Sequence, residues 1–244
     1  MTTEERIEKL EAELAAMKAG LTVANVICAK KFLVLDEKGK TRAQLFVNKG
    51  GPGMGLFDEK GTLRAGLSVT EDGPFMSLYD EKGHTRAGLA ATEDGPMLTL
   101  YDEKGTSLTM LAATEDGPML TLYDEKGTIR ALLNVFDGGP QLNLSDEKGK
   151  FRAILRVDND EPGMVLYDEN GKGRAQISVI KDRPTLGLAD ENGKSRVLLG
   201  VNEDGPGMAL SDEKGKLRAI LSMLKDGPVL KLYDEQGKTI WSAP

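Results

Sequence analysis

The chain is nearly empty of the residues that carry chemistry. Cysteine, histidine and tryptophan occur once each, and aromatic residues make up only 5% of the 244 positions. The lone cysteine, Cys28, excludes an intrachain disulfide and reads as a small buried hydrophobe. The lone histidine, His84, sits at a turn position filled elsewhere by Lys or Thr, and no Cys and His cluster with metal-ligand spacing accompanies it. No cofactor or metal is expected. No run of about 18 or more apolar residues occurs, so no membrane insertion is expected. The first residues, "MTTEERIEKLEAELAAMK", are charged and hold no apolar secretory segment. The chain is therefore expected in the cytoplasm as synthesised, or as part of a phage-like or exported particle. A net charge of -7 argues against a nucleic-acid partner, which needs a concentrated basic surface.

Glycine, at 29 residues, is plentiful, and it keeps time. The phrases "LFDEKG", "LYDEKG", "LSDEKG", "LYDENG" and "LYDEQG" return along the chain. Their aspartates, from Asp36 through Asp58 and Asp80 to Asp234, are always 22 residues apart. Prolines from Pro52 to Pro228 keep the same interval between them. Such a fixed period marks a repeat architecture rather than a generic core. Within one unit, "DEKGHTRAGLAATEDGPMLTLY", Ala87, Leu89 and Ala91 alternate with Arg86, Gly88 and Ala90, and Leu98 and Leu100 alternate with Met97, Thr99 and Tyr101. Period two over short runs bounded by Gly, Pro and Asp predicts two strands per unit. "DEKG" suits a type I turn closed by a left-handed glycine, and "EDGP" supplies a looser second reversal.

Stacking the units aligns one leucine row through Leu78, Leu100 and Leu122 and a second through Leu89, Leu111 and Leu133. One face of every strand is then aliphatic and forms the core ladder. The opposite face carries small or polar residues such as Gly55, Ser77 and Thr99, with one ladder of Arg64, Arg86 and Arg130 and another of Tyr79, Tyr101 and Tyr123. These Arg and Tyr rows predict stabilising cross-strand pairs, or alternatively a groove for a glycan or another polymer. Paired carboxylates such as Asp80 and Glu81 recur in every unit, whereas a catalytic pair is normally unique. With no catalytic residue singled out, a non-enzymatic protein is expected.

Ahead of the repeats, Ile7, Leu10, Leu14 and Met17 recur at three and four residues, the seam of a short coiled coil. Such a helix could also pack on its own chain. "RIEKLE", from Arg6 to Glu11, resembles the trimerisation motif of short coiled coils, which implies that Arg6 pairs with Glu11 of a neighbouring helix. A leucine face many strands wide exceeds what monomers leave exposed, and three copies around one axis would cover one another. Residues 1–20 are read as the trimeric helix. Residues 21–35, with Leu21, Val23, Phe32 and Val34 at inward positions, form a degenerate first β unit. Residues 36–244 form the shaft. At its end Trp241 takes an inward position held elsewhere by Ala43, Ala65 or Ala87, as a plug for a terminal unit.

The expected architecture is a mainly β repeat protein, a homotrimeric prism or solenoid of ten two-strand units. A meander advances about 9.6 Å per unit and gives a shaft of roughly 95 Å, whereas solenoid coils would halve it. A monomeric propeller remains open, since two units make a four-stranded blade. The "YDEKG" units resemble the YD-type hairpin repeats that build β shells in bacterial toxins. The order of coiled coil then β shaft resembles trimeric phage tail fibres and trimeric adhesins. Those resemblances imply a structural or attachment fibre whose partner is the chain itself.

Overall fold

The computed structural model describes residues 2–22 and 29–243, with side chains described for 2–16 and 29–243. Leu21 and Met17 as side chains, and Val23 and Cys28 altogether, lie outside them. Helix α1 (Thr3–Thr22) comes first, then twenty strands from β1 (Lys31–Leu35) to β20 (Thr239–Ala243). The helix opens with a capping box. The Thr2 amide donates to the Glu5 carboxylate at 2.6 Å, and the Glu5 amide donates to Thr2 Oγ1 at 3.2 Å. Ile7, Leu10 and Leu14 on this helix are 50%, 59% and 52% exposed, so the described part of the predicted seam is open to solvent.

Every strand pairs antiparallel with the strands before and after it in sequence, giving one continuous up-and-down sheet. The meander is therefore the connectivity, and the twenty strands are not divided into four-stranded blades. Register follows the 22-residue frame. Leu45 faces Met54, Met54 faces Leu67, and the same row continues through Met76, Leu89 and Leu98 to Leu230. Beside it, Leu56 faces Ala65, Leu78 faces Ala87 and Leu232 faces Trp241. Phe32 and Val34 of β1 face Leu45 and Ala43, so the first strand joins the leucine face in register.

The "DEKG" reversal keeps the turn and left-handed glycine expected of it, while "EDGP" is tighter than expected. At "EDGP" the pairing runs to Thr70 opposite Gly73 and Thr92 opposite Gly95, leaving a tight two-residue turn. At "DEKG" the last pair is Tyr79 with Thr85, which leaves a five-residue loop. The longer loop is feasible because the aspartate organises it from within. One register slip per unit, between Leu78 and Tyr79 for example, inserts Arg86 as a bulge residue and re-aims its side chain across the outer face.

Burial within one chain is the reverse of a two-layer protein. Ala112, at 6% exposed, is the one buried hydrophobic residue among the described residues. The buried positions lie on the small-residue face: Ser77, Thr99, Thr121, Asn134, Asn143 and Ser178. Half-buried side chains of the same face cover them. A Cβ added at Gly88 would meet Tyr101 Cε2 at 3.7 Å, and one at Gly66 would meet Tyr79 Cε2 at 3.8 Å. The aromatic side chains thus lean over the small residues of the neighbouring strand. The leucine face has no such lid. Leu89, Leu111 and Leu133 are 47%, 51% and 47% exposed, because a single layer offers them neighbours only along the sheet.

Candidate functional site: the arginine and aspartate ladder

Each long turn is built on one carboxylate. Asp80 Oδ1 accepts from the amides of Lys82 at 2.9 Å and His84 at 3.0 Å, and the Gly83 amide donates to the Asp80 carbonyl at 3.1 Å. The same arrangement recurs at Asp36, Asp58, Asp102, Asp124, Asp146, Asp168, Asp190, Asp212 and Asp234. This is why the motif needs Asp: a short acceptor reaches its own backbone two and four residues on. It also needs the glycine, whose φ lies between 75° and 87° at these turns.

The outer oxygen is free to take an arginine. Arg64 Nη1 lies 3.5 Å from Asp58 Oδ2, Arg130 Nη1 is 3.5 Å from Asp124, and the Arg174, Arg196 and Arg218 pairs each measure 3.4 Å. Arg42 and Arg152 make closer pairs of 2.6 and 2.7 Å, and Arg86 stands 3.8 Å from Asp80. Several of these arginines also bridge to the next hairpin. Nε of Arg64, Arg130, Arg174 and Arg196 donates to the carbonyls of Tyr79, Ser145, Ala189 and Ser211 at 2.9–3.1 Å. Lysines repeat the stitch at the turn tips, where Lys40, Lys150, Lys172 and Lys194 donate to the carbonyls of Glu59, Glu169, Glu191 and Glu213.

Nine of the turn aspartates are held below the ordinary carboxylate range. At Asp58, Asp124, Asp168 and Asp212 the amide four residues on is the leading cause, reinforced by the arginine. At Asp80, Asp146 and Asp190 partial burial pushes upward most strongly, and the two backbone amides outweigh it, helped by His84 at Asp80 and by Arg152 and Arg196 at the other two. Asp102 is a natural control. Leu108 stands where other units carry arginine, and the Thr106 amide still lowers Asp102. The carboxylate is thus kept ionised chiefly by its own loop.

The structure brings Arg64, Arg86 and Arg130 beside Asp58, Asp80 and Asp124, while Tyr79, Tyr101 and Tyr123 are half-buried next to Asp80, Asp102 and Asp124. Much of the guanidinium donor capacity is spent inside the sheet. Arg6, Ile7, Leu10, Glu11 and Leu14 are exposed along α1, and Trp241 is 48% exposed at the last strand. Among the described residues no group of three or more His, Cys, Asp or Glu is placed to hold a metal ion, and no helix is long and apolar enough to cross a membrane. Sequence reading passed over one cluster, the amides Asn134, Gln141 and Asn143. The signal was available, since the equivalent positions of the other units carry no amide.

No protein family and no curated protein matches the chain. Among solved structures, a Staphylococcus aureus TarM mutant in complex with Fondaparinux, alpha-GlcNAc-glycerol and UDP aligns at 10% identity and a TM-score of 0.29, over 51% of this chain and 22% of that one. The Photorhabdus luminescens Tc holotoxin pore aligns at 11% identity and a TM-score of 0.22, over 87% of this chain and 14% of that one. The TcdB2-TccC3 structure aligns at 14% identity and a TM-score of 0.21, over 92% and 13%. The chain therefore spans less than a quarter of the length of each of these structures, and at such scores neither fold nor function is read across.

Proposed function

We propose that the chain is a structural, non-enzymatic rod that assembles as a parallel homotrimer, each copy covering the leucine faces of the other two. The carrying observation is the exposed aliphatic face. Fully burying such a side chain contributes about 1.5 to 3 kcal/mol, and these are left close to half exposed along the whole sheet. The forfeited term reaches tens of kcal/mol, beyond the roughly 5 to 15 kcal/mol of net stability that a folded chain possesses. A hollow of about 600 Å³, lined by Ile177, Leu186, Leu199, Met208 and Leu221, marks part of this face as a receptacle for apolar groups.

The helix supplies the number of copies. Its seam of Ile7, Leu10 and Leu14 is exposed, and "RIEKLE" favours three strands. The same assembly would close over Trp241 at the far end. The outer face, with its arginines already bonded to turn aspartates and carbonyls, suits a shaft that bears load or sets a distance. The test is sedimentation of the full chain. Three times the 26.3 kDa chain mass is expected, falling towards one chain mass when Leu89 and Leu111 are both replaced by Glu. A compact monomer of the unaltered chain would overturn the proposal.

A further inference from the structure

The regular outer face is interrupted once, in the hairpin of β10 (Ile129–Phe136) and β11 (Gly139–Ser145) and the following strand β12 (Phe151–Asp158). Asn134 faces Gln141, and Gln141 faces Arg156, so three polar side chains lie in one row. Gln141 Nε2 donates to Asn143 Oδ1 at 2.8 Å. At the Asn134 position most other units hold Ser, Ala or Gly, with Phe46 and Arg156 as exceptions, and at the Asn143 position most hold Ser, Thr, Gly or Ala, with Val165 and Lys231 as exceptions. No other unit carries an amide at either position, so the paired amides are particular to this hairpin.

These side chains line a hollow of about 280 Å³ with Phe136 and Phe151. The two rings are 37% and 47% exposed, which leaves much of each available to a ligand. Asn134 is 5% exposed, and its Oδ1 is buried with no hydrogen-bond partner. An orphaned acceptor of this kind calls for a donor from outside. Asn134 is also among the residues that line the hollow, so its amide stands at the wall of the site. Charge at the site balances: Arg156 and Asp158 both line it. A second hollow of about 190 Å³ adjoins it across the same two residues and is lined also by Tyr167, Gln176 and a further carboxylate, Glu161, which adds to the exclusion of anions.

We infer that this paired hollow is a binding site for a neutral oligosaccharide, one sugar ring to each hollow. The volume of the first is near the lower limit for small-molecule sites, about 300 Å³, which fits a single ring. Hydroxyl groups donate to Asn134 and accept from the other amides and Arg156, and the aromatic rings meet the apolar faces of the sugars. An anion would find Asp158 against it. The site lies on the outer face, so it stands whether or not the leucine faces assemble.

The test is saturation-transfer nuclear magnetic resonance on the full chain with cellobiose, maltose, lactose and N,N'-diacetylchitobiose as probes, each at low millimolar concentration. Transfer to at least one disaccharide is expected, lost in Asn134→Ala and in Phe151→Thr, and retained in Glu71→Ala, an exposed turn residue of another unit. Both test substitutions are residues that other units carry at these positions, and Phe151 is exposed, so the fold survives at least the second. Absence of transfer to every probe, as when an ordered water alone satisfies Asn134, overturns the inference. Transfer that survives Phe151→Thr also overturns it.

Discussion

A glycine is required at position 95 for two separable reasons. Its φ of 114° lies where side chains are strained, and a Cβ there would come within 1.9 Å of the Ala113 carbonyl oxygen of the following hairpin. Gly227 shares the first constraint, with φ of 125°, but a Cβ there would meet nothing within 4 Å. Gly227→Ala should therefore cost about 1 to 3 kcal/mol from backbone strain alone. Gly95→Ala should cost more, because a backbone carbonyl must move. Thermal melts of the two variants followed by circular dichroism give the comparison, and equal losses would show that the close approach carries no energy. The turn aspartates set a pH limit of their own. Their folded pKa values lie below the unfolded value of about 3.9, so the stability they contribute is complete above about pH 4 and is lost as pH falls through the lower folded values. Asp58→Asn and Asp124→Asn keep an acceptor for the loop amides but not the charge. Urea melts at pH 7 and pH 3 should show a smaller acid loss in that double variant than in the parent.

The hairpin is the element at which sequence and structure can be compared most closely. Where a glycine follows the short turn, as at Gly73 and Gly95, the two central residues avoid positive φ and the glycine takes it. Glu161 and Arg183 replace that glycine in two units, and the strain moves into the turn. Asn159 and Asp160 then adopt φ of 49° and 66°, and Lys181 and Asp182 adopt 49° and 62°. Such a turn favours Asn then Gly at its centre. Replacing Lys181 with Asn and Asp182 with Gly should raise stability by about 1 to 2 kcal/mol, the cost of left-handed backbone in ordinary residues, and a denaturant midpoint that does not rise would contradict it. The strands, their register and the leucine rows were legible because period two and period 22 are both visible in letters. Which reversal is tight was not, since loop length depends on where pairing stops. The bonds of Asp80 to its own backbone and the bulge at Arg86 settle that. The amide cluster was legible letter by letter at Asn134, Gln141 and Asn143. It occurs in one unit only, so the period of 22 carries no signal for it.

On the scale of the whole molecule, all the contacts between hairpins are local. Arg64 reaches 15 residues along the chain, Arg42 reaches 16, Lys40 reaches 19, and Arg183 pairs with Glu203 20 residues on. Each span is shorter than one 22-residue unit, so no hairpin depends on any but its neighbours. A gene of near-copies such as this one is prone to gain or lose whole copies when it recombines. In this molecule the expected outcome is a change of length rather than a loss of fold, each unit adding two strand spacings, about 9.6 Å. Removal of residues 80–101 should leave a protein with unchanged strand content and a shaft one unit shorter. Removal of residues 80–100, one residue fewer, should fail to fold beyond the junction, because a slip of one turns the leucine rows to the opposite face. Circular dichroism and small-angle scattering distinguish the two. The length of such a sheet then changes in steps of one whole unit, because any other step breaks the register of the turns or of the leucine rows.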